Sequence, residues 1–348
     1  MRVLKAVTRR ISSAALKAGL VKGADSAARR RLDAALLDPQ VLIEITSKCN
    51  FACDYCSSAF LARKKVDMSR ELFEQVARQL PALTTKRVRL HIDGEPTLHP
   101  RFHEIVSLLN EKGLKVGLAT NGSLLKPEWL DLDMELVITV STDPAEFATR
   151  NNKLDFDAYS ACVAEYVHAW ARSDSPQKLM LQLIHNHAGF ESGQADERWG
   201  SSRDDFIQRA GLAEHCQPEA DRPWAFRKAS GHAAILIKYP IAVGGLYPVA
   251  GEVIEYPPVK RGFCDSAWKR LAVLADGRVS YCCVDLSGGT AYTDPDDIWN
   301  KPLREIWLEH PHIREVREGF ARGDVLDSIC KTCLAGTKFQ RREVGFNT

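Results

Sequence analysis

The chain lacks a dominant charge of either sign. Its 348 residues carry 47 Lys and Arg against 45 Asp and Glu, a formal net charge of +2. That balance gives no general signal for nucleic acid or for an anionic membrane surface. No apolar run reaches the ~20 residues that a membrane span needs. An apolar content of 45% and a charged content of 26% are those of an ordinary soluble globular protein. The length allows one large α/β domain plus a smaller one.

Cysteine is what the chain has in excess. Ten of them are more than packing requires, and most fall in clustered or turn-associated positions. With no secretory signal read ahead of them, they argue against a disulfide framework and for metal clusters in a reducing cytoplasm. The organising stretch is Val41 to Cys56, VLIEITSKCNFACDYC. Val41 to Thr46, mostly β-branched or apolar, predicts a buried strand. It runs into Cys49, Cys53 and Cys56, spaced C-x3-C-x2-C, with Tyr55 just before the last. Three thiolates in one loop can point at one centre and leave a coordination position open. Structural zinc is usually closed by four ligands, so a set of three argues for an iron–sulfur cluster with a reactive iron.

These residues resemble the radical S-adenosylmethionine (radical SAM) superfamily, whose signature is C-x3-C-x-aromatic-C directly after the first strand. The resemblance implies a [4Fe-4S] cluster on Cys49, Cys53 and Cys56, with S-adenosylmethionine bound through its amino and carboxylate groups to the unique iron. It also implies an external electron donor such as flavodoxin or ferredoxin.

The first 40 residues predict a basic helical extension, with Arg2, Lys5, Arg9, Arg10, Lys17, Lys22, Arg29, Arg30 and Arg31 against one acid, Asp25. A packed helix, a surface anchor and a transit peptide all fit it. From Val41 onward strands and helices alternate. Ser69 is an N-cap for ELFEQVARQL, and a second helix follows Pro100 and is closed by Gly113. Strands are read at Arg87–Ile92, Lys115–Thr120, Glu135–Ser141, Lys178–Ile184 and Ala233–Lys238, and a long helix at Asp157–Arg172. This rhythm predicts a parallel sheet with functional residues at the strands' C-terminal ends. The fold class expected is α/β, a partial (β/α)6 TIM-type barrel over 41–255, followed at 256–348 by a small β-hairpin/helix auxiliary-cluster domain.

The strand ends resemble further family elements. Asp93-Gly94-Glu95-Pro96 looks like the GGEP element, with Asp93 in place of the first glycine. It implies a backbone approach at Gly94 and a pairing of Glu95 with the ligand's ammonium. Thr120-Asn121-Gly122 resembles TNG, which places Asn121 near the methionine or ribose. Ser141-Thr142-Asp143 resembles the S-x-D segment, whose serine contacts ribose or carboxylate. Arg150 could clamp the methionine carboxylate bidentately. Each is by itself an ordinary turn or a surface charge. Leu183 could pack on adenine or simply belong to the core, and His185 and His187 are read as a solvated pair.

Towards the C-terminus, Asp276-Gly277 between two apolar runs signals a hairpin that carries Cys282 back towards Cys264. Cys330-Lys331-Thr332-Cys333 follows a helical stretch, Leu303–Arg322. Four thiolates can close a zinc site or a fully ligated [4Fe-4S] cluster. The order of these cysteines resembles the twitch and SPASM auxiliary-cluster domains of radical SAM enzymes, and four cysteines match the single-cluster twitch form. The resemblances together imply two [4Fe-4S] clusters. Of the remaining cysteines, Cys162 is assigned to the core, while Cys216 and Cys283 are candidate hydrogen-atom donors if the enzyme is an epimerase.

Three functions compete. The first is oxidation or epimerisation of a carbinol on a sugar, aminocyclitol or similar small metabolite, resembling aminocyclitol dehydrogenases. The second is maturation of a ribosomally made peptide. The third is a non-enzymatic zinc-binding interaction protein, which leaves Cys49 to Cys56 without a task.

Overall fold

The computed structural model describes residues 26–53, 56, 63–185, 203–220, 222–229, 233–240, 253–256, 264–282, 285, 288–335 and 337–340. Tyr55, Cys283, His187 and residues 1–25 of the basic extension lie outside them, as do the side chains of Leu183, His185 and Cys333. The strands, in chain order, are β1 Gln40–Ile43, β2 Val88–Arg89, β3 Val116–Thr120, β4 Met134–Val140, β5 Lys178–His185 and β6 Gln217–Glu219. They continue with β7 Arg222–Arg227, β8 Ala233–Pro240, β9 Val253–Tyr256, β10 Arg270–Val273, β11 Val279–Ser280 and β12 Thr337–Gln340. The chain divides into two compact units. One comprises Met1–Ile45, Phe60–Val88 and Gly244–Thr348; the other comprises Thr46–Ala59 and Arg89–Val243.

In the second unit β3, β4, β5 and β8 pair in parallel, each with the next. β7 then runs antiparallel to β8, and β6 antiparallel to β7. Leu118, Leu136, Ile138, Val140 and Leu181 are fully buried along these strands. The connections are helices with legible ends. Phe102–Glu111 is followed by Gly113 at φ +71°, a left-handed conformation that glycine adopts without a side-chain penalty. Phe156–Arg172 starts at Asp155, whose carboxylate accepts from Ala158 N at 3.0 Å. That helix buries Trp170, whose indole N–H donates to Gln177 O at 3.2 Å.

In the other unit β1 pairs in parallel with β10, and β10 forms the expected hairpin with β11. Leu274 N donates to Arg278 O at 2.9 Å across the turn, and Gly277 takes φ +92°. Ser69 caps the helix Arg70–Leu83 by accepting from Leu72 N at 3.2 Å. Trp307 is fully buried, donates to Leu36 O at 2.9 Å and lies under the Arg317 guanidinium. Arg317 in turn donates to Ala267 O at 2.7 Å and Trp307 O at 2.8 Å, so a buried cation has its donors satisfied by carbonyls.

Three elements differ from their expected extents. The first strand stops at Ile43, because Glu44 turns its carboxylate into the interior instead of continuing the apolar run. The strand expected over Arg87–Ile92 is regular only at Val88–Arg89, although Leu90 N still donates to Gly117 O at 2.9 Å. The single stretch Leu303–Arg322 is two helices, Leu303–Glu309 and Pro311–Arg322. Proline cannot donate to the preceding turn, so Pro311 starts a new helix instead of continuing the old one.

Candidate functional site

The cysteine loop is held at several points within its own unit. Lys48 N donates to Thr46 Oγ1 at 3.1 Å, and Lys48 O accepts from Glu95 N at 2.7 Å. Phe51 is buried, with its ring edge-on to Phe147 at 6.1 Å and tilted against Tyr159 at 6.4 Å. Ala52 N donates to Arg150 O at 3.1 Å, and Asn151 Nδ2 returns a bond to Ala52 O at 3.1 Å. Asn151 has φ +42°, a conformation that asparagine tolerates better than most residues. Cys56 N donates to Cys53 O at 2.9 Å, which tightens the end of the motif.

Cys49, Cys53 and Cys56 are all half-buried. Burial pushes the Cys49 thiol up to about 12. The Phe51 N–H opposes this by donating to its sulfur at 3.4 Å, while charge on Glu95, Cys53 and Cys56 pushes the same way as burial. At Cys49 a thiolate is therefore costly without a cation beside it. Among the described residues no three Cys, His, Asp or Glu stand close enough to hold a metal ion, so the thiols are neighbours rather than a closed ligand shell. Three soft donors in one partly shielded loop fit an iron–sulfur cluster.

Glu95 joins the strand ends to this loop. It is 2% exposed, and its Oε1 accepts from Thr97 N at 3.1 Å, Thr97 Oγ1 at 2.6 Å and Thr120 Oγ1 at 2.7 Å. Its Oε2 accepts from Asn121 N at 2.6 Å. Burial raises its pKa, opposed first by the Asn121 N–H and then by the threonine bonds. The carboxylate is thus committed to holding the ends of two strands together, a task not read from the sequence. Gly94, at φ +75°, lies so close to the loop that a Cβ there would sit 2.5 Å from Thr46 O and 2.7 Å from Lys48 O. The close approach it permits is that of two backbone segments.

Asn121 faces the cysteines. Its Nδ2 donates to Asn50 Oδ1 at 2.9 Å and lies 4.0 Å from Cys49 Sγ, while its Oδ1 accepts from Ser123 N at 2.9 Å. Ser141 is fully buried at the end of β4, its amide donating to Tyr159 OH at 3.4 Å. The Arg150 guanidinium is 1% exposed and points inward. It donates to Thr139 O at 3.0 Å, to Asn121 O at 3.3 Å and to Tyr159 OH at 3.3 Å, and its Nε lies 3.7 Å from Glu146 Oε1. The guanidinium thus braces two strand-end carbonyls. Tyr159, Glu146, Asn50 and Phe51 complete this framework together with Thr120 of the TNG-like element, and no sequence motif points to those four.

The C-terminal cysteines belong to the other unit. Cys264 precedes the short helix Ser266–Lys269, which leads directly into β10, and Cys282 follows β11. Cys282 therefore lies at the open end of the hairpin. Cys330 is buried on the helix Ser328–Ala335, and Cys333 follows on the same helix one turn later. The hydroxyl of Tyr281, next to Cys282, lies 3.3 Å from Cys330 Sγ. The hairpin end and the helix are thus in contact, and the donor set of four thiols suits a closed tetrahedral or cluster site.

Cys162 is half-buried on its helix. Cys216 is buried at the start of β6, where burial pushes its thiol up and the Lys228 ammonium opposes the shift. Lys228 is itself occupied, donating to Ser173 O at 2.8 Å and lying 4.2 Å from the Trp170 ring centroid.

Comparison with known proteins places these motifs. Residues 43–150 match the Radical SAM superfamily, and residues 264–334 match SPASM, an iron–sulfur cluster-binding domain. A tungsten-containing aldehyde ferredoxin oxidoreductase cofactor-modifying protein of Pyrococcus furiosus is 36% identical over 102 residues, 27% of this chain and 28% of its own. The chain thus spans well under a third of that relative. A GTP 3′,8-cyclase of Haemophilus ducreyi is 26% identical over 280 residues, 69% of this chain and 75% of its own. Among solved structures, Streptococcus suis SuiB bound to S-adenosylmethionine shares the fold with a TM-score of 0.53 at 13% identity, over 88% of this chain and 81% of that one. The mostly parallel α/β sheet is that of the radical SAM partial barrel, and S-adenosylmethionine and [4Fe-4S] clusters are the cofactors of these two domains. The chain carries a Radical SAM superfamily domain at residues 43–150 and a SPASM iron–sulfur cluster-binding domain at residues 264–334.

Proposed function

We propose that this protein is a cytoplasmic radical SAM oxidoreductase that dehydrogenates a carbinol of a sugar, aminocyclitol or similar small metabolite. Cys49, Cys53 and Cys56 hold the first cluster. A cluster held there together with S-adenosylmethionine would supply the radical chemistry that removes a hydrogen atom from substrate carbon. Gly94, Asn121 and Ser141, with the main chain beside Glu95, line the place of S-adenosylmethionine. Glu95 and Arg150 position them by holding the strand ends, so the ammonium contact passes from the Glu95 side chain to main-chain carbonyls.

The observation that supports oxidation is the second cysteine set, where the Tyr281 hydroxyl, next to Cys282, lies 3.3 Å from Cys330 Sγ. Cys264, Cys282, Cys330 and Cys333 would hold a cluster without an open iron, which would supply an acceptor for one electron while the carbinol oxygen loses its proton. Epimerisation needs instead a thiol able to give a hydrogen atom. Cys216 is packed beside Lys228, and its burial speaks against that task. Flavodoxin or ferredoxin is the reductant class for the first cluster. Among the described residues no helix is long and apolar enough to cross a membrane.

The test is turnover with carbinols deuterated at the reacting carbon, alongside GTP and peptides as competing substrate classes. A product two hydrogens lighter, with the deuterium in 5′-deoxyadenosine, supports the reading. Cyclised nucleotide, crosslinked peptide or solvent hydrogen at the reacting carbon rejects it.

A further inference from the structure

Tyr281 stands between two acceptors. Its side chain is 1% exposed, its hydroxyl donates to Asp327 Oδ2, and its oxygen lies 3.3 Å from Cys330 Sγ. Asp327 is engaged on its other side, where Oδ1 is 3.5 Å from His312 Nε2. His312 rests against the Tyr292 ring at a centroid distance of 6.3 Å. Tyr281 has one proton to give. While Cys330 is a thiol, the sulfur can donate to the phenol oxygen and the phenol can donate to Asp327. Once Cys330 is a metal ligand it has no proton. The hydroxyl then faces two electron-rich acceptors at once.

We propose that Tyr281 is a positioning residue for the C-terminal cluster, donating a hydrogen bond to the ligating sulfur of Cys330, and that Asp327 competes with that sulfur for the proton. This rests on the reading that Cys264, Cys282, Cys330 and Cys333 hold a cluster. A hydrogen bond to a cluster thiolate withdraws electron density and favours the reduced state, so such bonds raise the reduction potential. Asp327 thereby tunes an electron acceptor that it does not ligate, and His312 tunes Asp327.

The experiment uses the full chain carrying Cys49→Ala, Cys53→Ala and Cys56→Ala, so that one cluster remains. Its midpoint potential is read by EPR-monitored redox titration. Tyr281→Phe is expected to shift the potential down. Asp327→Asn, a weaker acceptor without charge, is expected to shift it up. In the Tyr281→Phe/Asp327→Asn pair the upward shift shrinks, because there is no hydroxyl left to release; removal of a charge alone would give the same shift with or without Tyr281. An unchanged potential in Tyr281→Phe with the cluster intact overturns the inference and leaves the cluster reading standing. A parent protein without a C-terminal cluster overturns both. If Tyr281→Phe does not fold, an Asp327→Asn shift that is absent or downward also overturns it.

Discussion

Arg63 grips Glu44 at both carboxylate oxygens, with Nη1 2.7 Å from Oε2 and Nη2 donating to Oε1. Glu44 is fully buried, and its Oε2 also accepts from Ala275 N at 3.0 Å, at the turn of the β10–β11 hairpin. The pair ties the end of β1 to the chain returning from the cysteine loop and to the hairpin of the C-terminal cysteines. Removing one partner of a buried bidentate pair strands the other charge. Glu44→Ala is therefore expected to cost about 3–5 kcal/mol. Glu44→Ala and Arg63→Ala together should cost much less than the sum of the two. Urea denaturation of the two single variants and the double variant checks this; additive losses would contradict it.

Gly94 tolerates no side chain. An alanine there is held at φ +75° and directed at the Thr46 and Lys48 carbonyls. The left-handed backbone alone costs about 1–2 kcal/mol, and the turn must then move away from the cysteine loop. Gly94→Ala is expected to lower the melting temperature and weaken S-adenosylmethionine binding in equilibrium dialysis of the cluster-loaded protein. Unchanged values in both would contradict the close approach.

Glu95→Gln keeps the shape of the side chain and exchanges an acceptor for a donor. An amide nitrogen facing Asn121 N or the Thr97 and Thr120 donors leaves at least one of them unpaired. A buried unpaired group costs about 1–3 kcal/mol. The variant should lose that stability and also S-adenosylmethionine affinity, because Asn121 is released; calorimetry and dialysis read the two. Full stability with lost affinity would instead return the carboxylate to direct ligand contact.

Glu146 gives a pH signature. Burial raises its carboxyl from the ordinary 4.5 to about 6; Arg150 and the Ser141 hydroxyl oppose the rise, and Asp143 adds to it. Between these values the folded protein holds a proton that the unfolded chain has released. Stability therefore falls as pH rises across that window and levels off above it, by about 2 kcal/mol in all. Glu146→Gln should remove this decline. Parallel stability–pH curves for the parent and the variant would contradict it.

The sequence was most readable where chemistry and local geometry coincide. C-x3-C-x2-C after a β-branched run, Ser69 before a helix, and Asp276-Gly277 between apolar runs each impose their structure within a few residues. Residues whose partners lie far along the chain were not readable. Glu44 sits in a run that reads as strand, and only Arg63 and Ala275 explain its burial. Arg150 reads as an exposed cation, yet it is Thr139, Asn121 and Tyr159 that draw it inward. Glu95 reads as a ligand contact after a strand, yet its four hydrogen bonds come from Thr97, Thr120 and Asn121, and no motif announces that its carboxylate is already occupied.

The central claim is that two separate thiol sets hold two clusters, and iron counting tests it most directly. Anaerobically reconstituted protein is expected to bind about eight irons per chain. Replacing Cys49, Cys53 and Cys56 together by Ala should leave about four and abolish S-adenosylmethionine cleavage. One stoichiometric zinc in the C-terminal domain, with about four irons in the parent and none in the triple variant, would contradict it.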